Sequence, residues 1–267
     1  MLKRLLMTGA AGGVGTAIRP LLPAFAAHVV LSDITAIDDC AAHETFKPCE
    51  LSDEAAVADL VSGCDGIIHF GGISIERPFE LLLRGNIVGL HNLYEAARQN
   101  GQPRIIFASS NHTVGYYRRD QRLDNTVVPQ PDSLYGVSKV FGENIASLYF
   151  NKFGQETLSV RIGSCFPEPK NPRMLATWMA VEDLADLSAR AFAAPRLGHT
   201  IVYGASANDE TWWDNSNAAF LGWTPQHTSA KWRAEILAAA PPEDPTSPDV
   251  IYQGGGFVMQ GHPGTKA

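Results

Sequence analysis

The 267 residues suffice for one large domain, or one with a modest appendage, that buries a substantial core, and 45% hydrophobic with 18% charged content is that of a globular chain. No apolar run approaches the roughly 20 residues of a membrane span, and a net charge of -7 without any Lys/Arg run argues against nucleic acid and membrane partners and for small molecules. Cys40, Cys49, Cys64 and Cys165 form no CxxC pair and no cluster with histidine, so neither disulfides nor a metal site are expected, and reduced thiols point to a cytoplasmic protein.

The N-terminal MLKRLLMTGAAGG places positive charge before an apolar stretch, as a signal peptide does, but the stretch is short and glycines follow at once. It reads as a buried strand. From there apolar runs of strand length alternate with helical patterns, the signature of βαβ units. Strands are expected near 2–8, 27–33, 45–50, 65–71, 104–110, 157–163 and 199–204, and helices near 13–23, 53–61, 78–98 with a break, 133–151, 180–193 and 210–220. This rhythm predicts an α/β fold: a Rossmann-type, doubly wound, mainly parallel seven-stranded sheet with a small C-terminal substrate-binding part. One domain spans 1–267, with 1–165 mainly nucleotide-binding and catalytic, 166–240 supplying substrate loops and 241–267 forming a C-terminal arm. The arm, rich in proline and then glycine, reads as a loosely packed segment or an oligomer contact.

The first strand runs into TGAAGGVGTAI, with Gly9, Gly12 and Gly15 at intervals of three. Such glycines permit a tight turn, let backbone N–H groups approach a pyrophosphate and let the following helix pack close to the strand. Asp33 closes the second strand 18 residues after Gly15, where an acid binds ribose hydroxyls and repels a 2′-phosphate. NAD is therefore expected rather than NADP.

In LYGVSKVFGE (134–143), Tyr135 and Lys139 are four apart and project from one helix face. Poising a phenol of pKa about 10 near neutrality needs about 4 kcal/mol in favour of phenolate. One positive charge at about 4 Å supplies that order at an effective dielectric near 20. Lys139, helped by a positive nicotinamide, is of the right size, although burial of the phenolate works against it. Tyr135 would then act as general base on a hydroxyl.

With TGxxGxxG, Asp33, DGxxHFGG (65–72), SSN (109–111) and YxxxK in this order, the chain resembles the extended short-chain dehydrogenase/reductase family over nearly its whole length. Within that family, ASSNHTVGYY (108–117), YGVSK, RIGSCFPEPKNPRM (161–174) and GASANDETWWDNS (204–216) look like the uronate-oxidising members. The resemblance implies a catalytic set of Tyr135, Lys139 and Ser110, with Ser110 on the oxygen being oxidised and Lys139 also on the nicotinamide ribose. It places NAD on Gly9, Gly12, Gly13, Val14, Gly15, Asp33, Glu50, Leu51, Phe70, Gly71 and Gly72, with Asn86 as a structural or cofactor-supporting residue. Glu50 stands where the family more often has Asp. His69 packs beside the cofactor without titrating.

Arg173 decides the substrate class. It lies beyond the sixth strand on a loop stiffened by Pro167, Pro169 and Pro172, where a planar guanidinium clamps a carboxylate through two parallel hydrogen bonds. The resemblance, rather than the spacing, assigns it that role. Ser74, Ser110, Asn111, His112 and Ser164 fall just past strand ends, where short polar groups suit sugar hydroxyls. The implied activity is NAD-dependent oxidation of cyclic D-glucuronate or D-galacturonate at C1 to the aldaric acid lactone, in an enzyme that self-associates as a homo-oligomer. Two other readings compete. A nucleotide-sugar epimerase or dehydratase of the same family typically carries RxxNxYGP after the sixth strand, but here Ser164 and Phe166 replace its asparagine and tyrosine, and the remaining chain is short for a larger substrate domain. A non-catalytic NAD(H)-sensing protein would have no need of a proton-transfer pair.

Overall fold

Seven apolar runs become seven strands in the computed structural model, which describes residues 1–261 and 263: β1 (Leu5–Thr8), β2 (Val29–Ser32), β3 (Glu44–Phe46), β4 (Gly66–His69), β5 (Arg104–Ser110), β6 (Thr157–Ile162) and β7 (His199–Gly204). The last residues of the expected arm, 262 and 264–267, lie outside that description. The order is β3-β2-β1-β4-β5-β6-β7 and every neighbouring pair is parallel. Several strands are shorter than their apolar runs. At β1 the reason is visible, since the amides of Lys3 and Arg4 donate to the Asp65 carboxylate, both at 2.8 Å, instead of to a ladder.

Alternate residues feed two cores, as the pleat requires. Leu5, Met7, Leu31, Ile68, Ile106 and Leu158 pack on one face with α1 (Gly13–Ile18), which precedes β2, while Leu6, Val30, Ile67, Ile105 and Phe107 pack on the other. The second face is covered by α2 (Glu54–Val61), α4 (Gly89–Gln99) and α5 (Leu134–Phe153). Between α2 and α4, the short α3 (Phe79–Leu82) runs through a π-helical turn (Leu83–Val88), the expected break. The helix expected over 13–23 is α-helical only to Ile18. It continues as a 3₁₀ turn (Arg19–Ala24), where Pro20 and Pro23 lack the amides an α-helix needs.

Two features depart further from expectation. The proline-rich stretch after β6 is not all loop, because Asn171 caps a short α6 (Pro172–Thr177), accepting from the Met174 amide, with proline in the position where no amide is needed. It is followed by the expected helix, α7 (Val181–Ala193). The helix expected over 210–220 does not form, except as a 3₁₀ turn (Ser216–Leu221). Trp213 instead stacks on Tyr203 (5.1 Å between centroids) while the backbones of Trp212 and Asp214 bond Leu123, so tertiary packing holds this stretch extended. No described helix is long and apolar enough to cross a membrane.

Candidate active site

The strand order reverses between β1 and β4, and the C-terminal ends of β1, β4, β5 and β6 open into a cavity of about 1600 Å³. That exceeds the roughly 300 to 1,000 Å³ of a pocket for one drug-sized ligand, so a dinucleotide and a small second molecule fit together. At the β1 end the glycine turn is obligatory. Gly9 has φ +69° and a Cβ there would come 2.5 Å from the Phe70 carbonyl carbon, while one on Gly15 would come 2.4 Å from the Gly9 oxygen. The cradle this leaves under Gly12, Gly13 and Val14 fits a pyrophosphate approaching bare backbone. Asp33 stands at its rim, its carboxylate braced by the amides of Ala11 and Thr35, both at 3.0 Å. Glu50, Leu51, Phe70, Gly71 and Gly72 line the same end.

Asn86 does not line the cavity. Its amide is used within the protein, accepting from Ile73 N (2.7 Å) and donating to Ile73 O and Ser138 Oγ (2.9 Å each), so it shapes the wall that carries Gly72 and Ser74. His69 bonds Thr8 Oγ1 at 2.7 Å, and burial, with Lys139 nearby, brings it down to about 3, leaving it neutral.

Tyr135, Lys139 and Ser110 meet at the middle of the cavity. Tyr135 sits in the first turn of α5, whose start is held by the Ser133 hydroxyl accepting from Gly136 N (2.9 Å) and by the Glu76 carboxylate accepting from Leu134 N (3.1 Å) and Tyr135 N (2.8 Å). Two turns on, Glu143 is locked by Arg161 through two 2.8 Å bonds and by Ser109 at 2.6 Å, which fixes the helix against β5 and β6. Ser110 closes β5, its oxygen accepting from His112 N at 3.2 Å.

The electrostatics of this trio differ from the expectation. Burial pushes the Tyr135 phenol up to about 12, the Ser110 hydroxyl opposing this and Asp132 adding to it. Lys139 is itself brought down to about 8 by burial, and its ammonium lies 5.6 Å from the centre of the Tyr135 ring. Lys139 therefore does not by itself make this phenol acidic. The cost of desolvating the phenolate outweighs it.

The substrate end is closed by α6 and by the C-terminal segment. Arg173 lies on the first turn of α6, not on a loop, and its Nε donates to Gln253 O at 2.7 Å. It is partly accessible because the cavity itself admits solvent, yet protein packs round it closely enough that desolvation, with Arg119 adding repulsion, brings it down to about 10. Among the described residues no carboxylate pairs with it, and Asp132 is engaged by His112 at 2.7 Å. With its Nε taken, the guanidinium presents its terminal nitrogens, which still allow two parallel hydrogen bonds to a carboxylate.

The other expected sugar contacts divide. Ser74, Ser110, His112 and Ser164 line the cavity, Ser164 sharing a 2.9 Å hydrogen bond with Thr177. Asn111 also lines it, but in the orientation that satisfies its amide it donates to Ile162 O (3.1 Å) and accepts from Arg173 Nη2 (2.7 Å), so it holds the arginine. The C-terminal segment is no loose arm here. Gln253 is fully buried, Gly254 N bonds Gly115 O, and Phe257 stacks on His112 with centroids 3.7 Å apart. Sequence reasoning missed Glu76, Asp132, Glu143, Gln253 and Phe257. Glu143 alone had a signal, since it continues the four-residue spacing of Tyr135 and Lys139.

Comparisons with known proteins bear on the family and the fold. Residues 5–180 match the model of the NAD dependent epimerase/dehydratase family. The chain is 54% identical over 257 residues to the uronate dehydrogenase of Agrobacterium fabrum, covering 96% of this chain and 97% of that one. Its structure is similar to the crystal structure of a glucuronic acid dehydrogenase from Chromohalobacter salexigens, at 60% identity and a TM-score of 0.99 over all of both chains. It is also similar to a point mutant of uronate dehydrogenase from Agrobacterium tumefaciens complexed with NAD, at 54% identity and a TM-score of 0.95, covering 97% of this chain and 98% of that one.

Proposed function

The chain belongs to the NAD dependent epimerase/dehydratase family, and on that premise we propose that it is an NAD-dependent oxidoreductase acting on C1 of a cyclic uronic acid, D-glucuronate or D-galacturonate. The observation that carries this reading is Arg173: a guanidinium without a carboxylate partner among the described residues, facing the same cavity as Tyr135, Lys139 and Ser110. Taking a cation out of water is costly unless an anion answers it. A sugar acid supplies that anion and, at its far end, an anomeric hydroxyl for the tyrosine.

Gly9, Gly12, Gly13, Val14 and Gly15 would hold the pyrophosphate of NAD, Asp33 the adenosine ribose, Glu50 and Leu51 the adenine, and Lys139 the nicotinamide ribose. When bound, NAD supplies the acceptor for the hydride leaving C1. Tyr135 takes the hydroxyl proton and Ser110 donates to the same oxygen, so C1 becomes the carbonyl of an aldaric acid lactone with the ring still closed. His112, its Nδ1 turned to Asp132, has Nε2 left for a ring hydroxyl. Ser74 and Ser164 border the same space.

A panel assay following NADH with uronic acids, neutral aldoses and UDP-sugars tests the reading. NADH formation is expected with uronates and to be far weaker with neutral aldoses. UDP-sugar turnover without net NADH would instead establish an epimerase or dehydratase, and no turnover at all would favour a nucleotide sensor. Replacing Asp33 by Ala should narrow the preference for NAD over NADP by about tenfold or more, since one unfavourable charge contact is of that order. Undiminished discrimination, measured as the ratio of kcat/KM for the two coenzymes, would place its source elsewhere.

A further inference from the structure

We propose that Gln253 and Gly255, on the C-terminal segment, are positioning residues that aim Arg173 at the substrate carboxylate and thereby set the preference for acids over neutral sugars. The inference rests on the uronate reading above.

Arg173 carries a long side chain from the first turn of a six-residue helix, and such a chain loses considerable rotamer freedom when fixed. No acidic side chain among the described residues ties it down. What holds it is Gln253 O on Nε and Asn111 Oδ1 on Nη2, each at 2.7 Å, leaving three of its five N–H groups for a ligand. Gly255 packs on the same side chain. A Cβ at Gly255 would fall 2.5 Å from Arg173 Cδ and 2.7 Å from Nε, so the guanidinium occupies its place only because residue 255 has no side chain.

Gln253 is itself held by four hydrogen bonds, which fix the residue that carries the carbonyl. The buried side-chain amide donates to Arg118 O (3.0 Å) and Gln121 O (2.9 Å) and accepts from Trp213 Nε1 (2.9 Å), while its backbone N–H donates to Tyr117 O (2.8 Å). All these partners lie far from Arg173 in sequence, on the 117–121 loop and the tryptophan stretch before the 3₁₀ turn. The acceptor that orients the guanidinium is thus referenced to the body of the protein and not to α6. A guanidinium held this way meets an incoming carboxylate without first having to be ordered.

The test is a double-substitution cycle with kcat and KM measured separately. Gly255→Ala leaves the Gln253 anchors in place and displaces Arg173. It should raise KM for a uronate by about ten- to a hundredfold, the size of a charged hydrogen bond made poorly. NAD affinity should be unchanged, kcat should move within about threefold, and the kcat/KM ratio of uronate to neutral aldose should fall. In an Arg173→Ala background the same substitution should change uronate kcat/KM by less than about twofold. Gln253→Ala should behave like Gly255→Ala; if it does not fold, Gly255→Ala alone decides. An unchanged KM in Gly255→Ala, or equal losses with and without Arg173, overturns the inference, because strain at a left-handed residue would be felt in both backgrounds. A wild-type protein that turns over no uronate overturns the functional reading and this inference with it, whereas an active wild type with an indifferent Gly255→Ala overturns the inference alone.

Discussion

Tyr135→Phe should keep its affinity for NAD and lose turnover by about 10²- to 10⁴-fold, the span of a general base. The phenol is the acid-base group that meets Ser110 in the cavity, and phenylalanine preserves its packing against His112 and Phe257 while deleting the one atom that takes the proton. The structure also states a condition. In the protein alone, burial holds Tyr135 near 12, so it is protonated at neutral pH, and Lys139, down near 8, is still largely charged there. Turnover should therefore rise with pH on the acid side, because only the phenolate accepts a proton. Ultraviolet absorbance of tyrosinate should appear at lower pH with NAD present than without it, as added positive charge favours the ionised form. A variant within about tenfold of wild-type turnover would remove the base assignment, and a tyrosinate titration indifferent to NAD would remove its electrostatic explanation.

Arg173→Ala should lower kcat/KM for uronates by about 10²- to 10³-fold, or about 3 to 4 kcal/mol, with neutral aldoses changing within about threefold. Losing the cation leaves a carboxylate in a largely desolvated pocket beside Asn111, whose amide then has no charged partner. Arg173→Lys should recover only part of the loss: an ammonium keeps the charge but cannot satisfy Gln253 O, Asn111 Oδ1 and the substrate together with the geometry of a planar fork. Equal losses on uronates and neutral aldoses would mean that Arg173 supports the fold of this wall rather than reading the acid.

The parts of the site that were legible in the chain are those carried by local rules. Gly9 and Gly15 are legible because left-handed backbone and helix-on-strand contact leave no room for a Cβ, and that demand shows in the spacing itself. Tyr135 and Lys139 are legible because a helix repeats its face every four residues. Asn86, by contrast, read as either structural or cofactor-supporting, and its amide proves to serve Ile73 and Ser138. Asn111, expected as a sugar contact, lines the cavity and also serves Ile162 and Arg173. A short polar side chain past a strand end has several partners within reach, and only the packed neighbours choose among them.

By itself the sequence determined the winding of the sheet, the nucleotide turn and the register of the proton-transfer pair, since each follows from periodicity or backbone sterics within a few residues. Only the tertiary structure decided the acidity of Tyr135 and the aim of Arg173. The first depends on how much water the surrounding elements exclude, and the second on a C-terminal segment brought back some eighty residues along the chain to place a carbonyl against a guanidinium. Desolvation and long-range contact are sums over neighbours that no local pattern encodes.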